Sequence, residues 1–351
     1  MKFNTEAQLL VEALSVISKL AAPDSGNIVF QVGKKFRVFS SSQVNSVQVT
    51  LPIKTEGQAE FGISLDSLRQ AIKGRSELQC VFKNTMLGIK SGRYSAELAT
   101  VDAIKEESQE TKFKSEIDLS ADDMQSLKQM VNSVALKPNS LLASFMPCGV
   151  RMHKKGTFVS CFDTTHMAFT STADLKGDAE FILPLDIVLL VTGVFTSGAK
   201  IRISDASVEV SNKLVTAVLA IPSLDSDLPS LEDVVNQSKA VKSATGTDLS
   251  LPKDDLITFL DNSRSIASRE RSEVRFSSQD SKIELSVMTT SGQVKTSFKH
   301  KGKTKFVIDF EYFDEMVRKC PDTVELQLVG DAYLKAKTKS CYLVTGLNQD
   351  G

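Results

Sequence analysis

FGISLDSLRQAIKG, residues 61–74, decides the fold. It reads as a short apolar strand running into a helix that opens on Asp66 and closes on Lys73 and Gly74. The same shape returns as FILPLDIVLLVTGV from Phe181 and FVIDFEYFDEMVRK from Phe306. The three phenylalanines stand 120 and 125 residues apart. That is far beyond the roughly 20–50 residues of a solenoid repeat and suits tandem whole domains.

Ahead of each unit lies an expected amphipathic helix: TEAQLLVEALSVISKL (5–20), SADDMQSLKQMVNSVALK (120–137) and SLPKDDLITFLDNSRSIAS (250–268). Leu9, Leu10, Ala13, Leu14, Ile17 and Leu20 share one helical face in the first, and Met124, Leu127, Val131 and Val134 in the second. Ser120 and Ser250 stand where N-caps belong, with Asp122, Asp123, Asp254 and Asp255 in the first turns, where acids favour the helix dipole. Alternating apolar residues broken by Gly, Asn, Asp and Ser turns fill the stretches between, the signature of antiparallel hairpins. Each third therefore reads helix, strands, helix, strands: an α+β domain with two helices on one face of an antiparallel sheet.

The acidic run AIKEESQETKFKS (103–115) and the Ser- and Asp-rich SLDSDLPSLEDVVNQSKAVKSATGTD (223–248) read as linkers. They set domains at 1–115, 116–238 and 239–351.

The composition of the 351 residues, 41% hydrophobic and 24% charged, is that of a soluble globular protein. No run approaches the roughly 18 apolar residues of a membrane span, and MKFNTEAQLL lacks the layout of a secretory signal, so a cytoplasmic protein is expected. Five scattered cysteines without a C-x-x-C pair, and three histidines, suggest neither a disulfide framework nor a metal site. A formal net charge of −1 excludes a globally basic nucleic-acid binder, so any DNA contact must rest on segregated charge. Glycine-rich phosphate loops, H-E-x-x-H, G-x-S-x-G and Cys/His nucleophile signatures are absent, and no cofactor is expected. Scattered acids such as Asp163 and Asp186 do not by themselves make an active site.

The layout over the whole chain resembles the bacterial-type DNA polymerase sliding clamp, the β subunit of DNA polymerase III. The SGR turn within LGIKSGRYSAELATVDA (87–103), the opening MKF, FDTTHMA (162–168) and the closing strand CYLVTGL (341–347) fall at matching places. Identity elsewhere is thin, so what the chain resembles is a divergent clamp, and a bacteriophage-encoded one is suspected. The resemblance implies a head-to-tail homodimer whose six domains close a ring, with twelve helices lining a hole and sheets outside. Its implied function is that of a processivity factor, not an enzyme. It would encircle double-stranded DNA without regard to sequence and tether the replicative polymerase after a clamp loader has placed it.

On the helices that would line the hole, the candidate bases are Arg69, Lys73 and Arg75, then Lys128 and Lys137, then Arg264, Arg269 and Arg271. Several sit in last helical turns, where cations favour the dipole whatever the function. DIVLLVTGVF carries no base. The family's partner-peptide pocket, carried over by position, would include Phe162, Thr164, His166, Met167, Pro229, Val234, Leu343, Thr345 and Leu347. The family's glycine-histidine-arginine run and Met-Pro-Met-Arg ending are replaced by TTH and TGLNQDG, so either a pocket of altered specificity or a pocket that has moved is expected. Without the resemblance, simple burial of alternate strand residues is the favoured reading of Met167, Leu343 and Leu347. Ala96, Leu98 and Ile266 occupy the places where the family joins its protomers, and Arg93 reads as a solvated turn residue. The competing readings are a phage structural ring or tail component and a monomeric adaptor. Reversing the charge of Arg264, Arg269 and Arg271 separates the first from a clamp, and sedimentation separates the second.

Overall fold

A computed structural model describes residues 1–21, 26–42, 45–103, 112–135, 146–221, 228–267, 272–279, 281–330 and 332–347. The first third contains β1 (Lys2–Glu6), α1 (Ala7–Leu20), β2 (Asn27–Val32), β3 (Phe36–Ser41), β4 (Asn45–Leu51), β5 (Thr55–Glu56), β6 (Ala59–Ser64), α2 (Leu65–Ile72), β7 (Glu77–Lys83), β8 (Met86–Ser91) and β9 (Tyr94–Val101). The second contains β10 (Ser115–Leu119), α3 (Ala121–Val134), β11 (Pro147–His153), β12 (Gly156–Phe162), β13 (His166–Thr172), β14 (Ala179–Pro184), α4 (Leu185–Val194), β15 (Ala199–Ile203), β16 (Ser207–Ser211) and β17 (Val215–Ala220). The last contains α5 (Leu231–Ser243), β18 (Thr247–Pro252), α6 (Lys253–Ala267), β19 (Glu273–Gln279), β20 (Lys282–Thr289), β21 (Gly292–Lys299), β22 (Lys305–Asp309), α7 (Phe310–Lys319), β23 (Thr323–Val329), β24 (Tyr333–Lys337) and β25 (Tyr342–Gly346).

The repeat inferred from Phe61, Phe181 and Phe306 is present in the strand pairing. β6, β14 and β22 each pass directly into a helix, and each pairs antiparallel with the strand after the preceding helix. Phe61 faces Phe30, Phe181 faces Val150, and Phe306 faces Phe276. The strand entering the first helix pairs with the strand leaving the second in all three copies, as β1–β7, β10–β15 and β18–β23. Each second helix begins on a buried apolar residue, Leu65, Leu185 or Phe310. Ser64 accepts a hydrogen bond from the Ser67 N–H, and Asp309 from the Glu311 and Tyr312 N–H groups, so two of the three junctions are capped from the strand's last residue.

Chain contacts define two compact units, Met1–Gln125 with Leu190–Pro222 and Ser126–Leu189 with Ser223–Gly351. The first holds a 13-stranded sheet in the order β10-β15-β16-β17-β4-β3-β2-β6-β9-β8-β7-β1-β5. Its core is aromatic, with Phe30 stacked on Phe61 at 5.3 Å and edge-on to Phe36, under the buried face of α1. The second holds an 8-stranded sheet, β14-β11-β12-β13-β25-β24-β23-β18, and a 4-stranded sheet, β21-β20-β19-β22. There Phe276 lies between Phe306 and Phe313.

Two expectations are corrected. Ser250 is not an N-cap: it lies inside β18, paired with Glu325, and the helix begins three residues later, after Pro252. The ladder with β23 takes up the backbone that an earlier helix start would have used. Residues 231–243 are not linker but the helix α5. Its buried residues Leu231, Val234, Ser238 and Val241 recur at one-face spacing, and a capping box links Ser230 and Asp233. The polar remainder faces solvent and masked the pattern in composition alone.

Candidate functional site

The basic residues on the helices are used unequally. Arg69, on α2, donates to the Leu14 carbonyl at 3.3 Å and to the Ser18 hydroxyl, tying α2 to α1. Arg75 places its guanidinium 3.8 Å from the Tyr94 ring centre, a cation–π contact with β9. Arg264, on α6, meets Asp314 of α7 at 2.5 Å. Asp314 is buried and also receives Arg318 at 2.9 Å, and Arg318 reaches Asp261 at 2.6 Å. Lys73 is exposed at the end of α2, and Lys128 is half-buried on α3. Lys137, Arg269 and Arg271 lie outside the described residues.

Three of the anticipated pocket residues, Phe162, Met167 and Val234, meet in one apolar cluster, while His166, Leu343 and Thr345 stand at the alternate strand positions, on the opposite face of the sheet. β13 pairs with β25, placing His166 opposite Thr345 and Met167 opposite Val344. Phe162, Met167, Phe169 and Val344 form one apolar cluster with Leu231, Val234 and Val241 of α5, bordered by Phe158, Ile182, Tyr333 and Tyr342. Phe162 is 1% exposed, Met167 7% and Val234 0%, so α5 covers what the strands present. Leu343 and Thr345 are also buried, Pro229 and Leu347 half-buried, and Thr164 exposed.

α5 is fixed at both ends by charge. At its start, Arg151 on β11 donates to Glu232 and to Glu180, each at 2.5 Å. At its end, the buried Lys335 of β24 donates to the carbonyls of Val241 at 2.9 Å and Ala244 at 2.5 Å. A cation at a helix C-terminus satisfies carbonyls that have no partner within the helix. Gly149 lets the helix sit this close: a Cβ there would lie 2.6 Å from Leu231 Cδ1.

His166 has a local assignment. Its ring lies on that of Tyr312, and its Nδ1 is 3.0 Å from Asp163 Oδ2. Asp163 also accepts from the Tyr312 hydroxyl at 2.6 Å and from the N–H groups of Thr165 and His166 at 2.7 Å. Burial alone would raise the Asp163 pKa, but these bonds prevail and hold it well below the usual carboxylate range. Tyr312, Lys335, Arg151 and Asp314 were not anticipated from sequence. Only α5 had a legible signal, the S-x-x-D cap followed by Leu231, Val234 and Val241.

At the third group of residues, β9 meets β8 along its length but reaches β6 only through Thr100 and Val101. Ala96 and Leu98 are half-buried on it. β21 is the outer strand of its sheet, and α6, which carries the half-buried Ile266, packs on β20 and β21.

No group of His, Cys, Asp and Glu able to hold a metal occurs among the described residues, and no described helix is long and apolar enough to cross a membrane. No protein-family model and no curated protein sequence matches the chain. Solved structures do. The β subunit of DNA polymerase III from Thermotoga maritima matches with a TM-score of 0.80 at 16% identity, and the subunit from Pseudomonas aeruginosa with 0.81 at 11%, each over 100% of both chains. The Helicobacter pylori β clamp bound to a DNA ligase peptide matches with 0.73 at 14%, over 99% of this chain and 100% of that one. At such identities the likeness establishes architecture: this chain has the fold of the DNA polymerase III β subunit.

Proposed function

We propose that this protein is a non-enzymatic sliding clamp made of three domains, 1–115, 116–238 and 239–351. Two copies close a ring around duplex DNA, and the ring tethers a replicative polymerase after a clamp loader has placed it. The observation that carries the reading is the likeness to β subunits over the full length of both chains. Tandem copies of one domain supply near-equal rotations, the condition under which a head-to-tail interface closes. The β9 and β21 edges are suited to pairing between copies, which would also remove two exposed strand edges.

Encirclement reconciles DNA binding with a net charge of −1. A closed ring cannot leave sideways, so a few phosphate contacts are enough to centre the duplex, and such contacts carry no sequence information. Lys73 and Lys128 are the described bases best placed for that role, since Arg69 and Arg264 are committed to neighbouring helices. Tethering converts repeated rebinding of polymerase into local capture at high effective concentration. The decisive experiment loads the protein on nicked circular DNA and then linearises the circle. Retention on the circle with run-off from the linear form is expected, and equal retention on both overturns encirclement.

A further inference from the structure

The surface made by β12, β13 and β25 carries a helix, α5, whose own buried face is not wholly apolar. Phe162, Met167, Phe169 and Val344, with Phe158, Tyr333 and Tyr342 at the border, offer a largely aromatic face. Against it α5 contributes only Leu231, Val234 and Val241, and the fourth position of its buried face is Ser238. That serine donates to the Val235 carbonyl of its own helix at 2.7 Å. The remaining α5 side chains are exposed or half-buried. The strands beneath hold their register through β11–β12, β12–β13 and β13–β25 ladders that do not involve α5.

We propose that α5 is the resident ligand of a helix-binding surface, and that a partner engages this protein by replacing α5 with an amphipathic helix of the same layout. The layout is set by the surface beneath. An acidic residue in the first turn meets Arg151, as Glu232 does. Apolar residues follow at the spacing of Leu231, Val234, Ser238 and Val241. The last carbonyls are received by Lys335, as those of Val241 and Ala244 are. A large apolar residue at the position of Ser238 distinguishes the incoming segment from the resident one, because it adds burial against the same face. The inference rests on reading Phe162 and Met167 as partner-binding residues. It adds that binding requires exchange, which also explains why a surface meant for a partner is buried in the free protein.

A tethered competitor is hard to displace. A segment in the same chain acts at an effective concentration on the order of millimolar. A free peptide with the sequence of 228–244 therefore competes poorly with α5, and weakening α5 raises its apparent affinity.

The test uses the full chain and a fluorescein-labelled synthetic peptide of residues 228–244 carrying Ser238→Leu. Binding is measured by fluorescence anisotropy to the native protein and to a variant with Leu231→Ser and Val234→Ser, which thins the resident face and leaves the strands unchanged. At least 10-fold tighter binding to the variant is expected, abolished by adding Met167→Asp. Equal binding to both, or none to either, overturns the proposal. Hydrogen exchange on the native protein gives a reading that needs no variant: the amides of α5 should exchange together and at least 10-fold faster than those of β12 and β13. Protection of α5 equal to that of β12 and β13 overturns it independently. Neither measurement involves DNA, so failure here leaves encirclement standing, and failure of the circular-DNA test leaves this result intact.

Discussion

The imidazole of His166 lies flat on the phenol ring of Tyr312, ring centres 3.2 Å apart and planes within 2°, and the carboxylate of Asp163 binds both. Through this contact the turn between β12 and β13 is fastened to α7. Burial pushes the Tyr312 hydroxyl above its ordinary value, and Asp163 adds to that.

The sign of the pH dependence follows from Asp163. Its folded-state pKa lies below the ordinary 3.8, so its contribution to stability is present above that value and lost as pH falls below it. Tyr312→Phe removes one charge-assisted hydrogen bond and should cost about 2 kcal/mol at pH 7. The difference between variant and native protein should persist at pH 3, because Asp163 stays ionised in the folded state at that pH, held by its remaining bonds to His166 and Thr165. Thermal unfolding at pH 7 and pH 3 measures both, and loss of the difference at pH 3 would contradict the depressed pKa.

Gly149→Ala should loosen α5 without touching its sequence. The new methyl group would overlap Leu231 Cδ1 and press on Phe162, a clash that costs about 1–3 kcal/mol in a packed interior. Faster amide exchange in α5, with β18 to β25 little changed, is the expected signature.

The basic residues should separate into two classes. Arg69→Ala and Arg264→Ala should lower the melting temperature, because each removes a bond between neighbouring helices. Asp314→Ala should cost more than Arg264→Ala, since it leaves both Arg264 and Arg318 without their shared carboxylate. Lys73→Ala and Lys128→Ala should leave stability unchanged and reduce the salt dependence of DNA retention, by about one unit of slope for each lysine–phosphate ion pair removed.

The proposed association of two copies through β9 gives a further expectation. Leu98→Asp puts a charge on the strand proposed to pair with β21 of a second copy. Sedimentation should shift from dimer to monomer, while the far-ultraviolet circular dichroism stays that of the native chain.

All five cysteines are buried and outside any disulfide. Burial raises the Cys80 thiol to about 12 and the Cys320 thiol to about 11, leaving little thiolate at pH 8. A colourimetric disulfide reagent should react slowly with the folded protein and rapidly with all five thiols in denaturant.

Much of the fold was legible because it repeats. A strand–helix junction written three times, with Phe61, Phe181 and Phe306 at its start, carries the periodicity of both elements in adjacent residues, and the strand ladders follow it. By composition α5 reads as linker, because four buried positions in thirteen leave a sequence dominated by Ser, Glu, Asp, Lys and Asn. Ser250 misled for the opposite reason. A serine followed by two acids suits a helix start locally, and only the distant strand β23 shows that its backbone belongs to a sheet.

The sequence by itself determined the α+β class, the threefold repeat and the amphipathic faces of α1 and α3. These follow from side-chain spacing along a single element, a local property. Tertiary structure alone decided that His166 serves Asp163 and Tyr312, that Arg69 and Arg264 bind helices, and that α5 lies over Phe162 and Met167. Each of these depends on residues tens to more than a hundred positions apart, brought together by pairing and burial that no local pattern encodes.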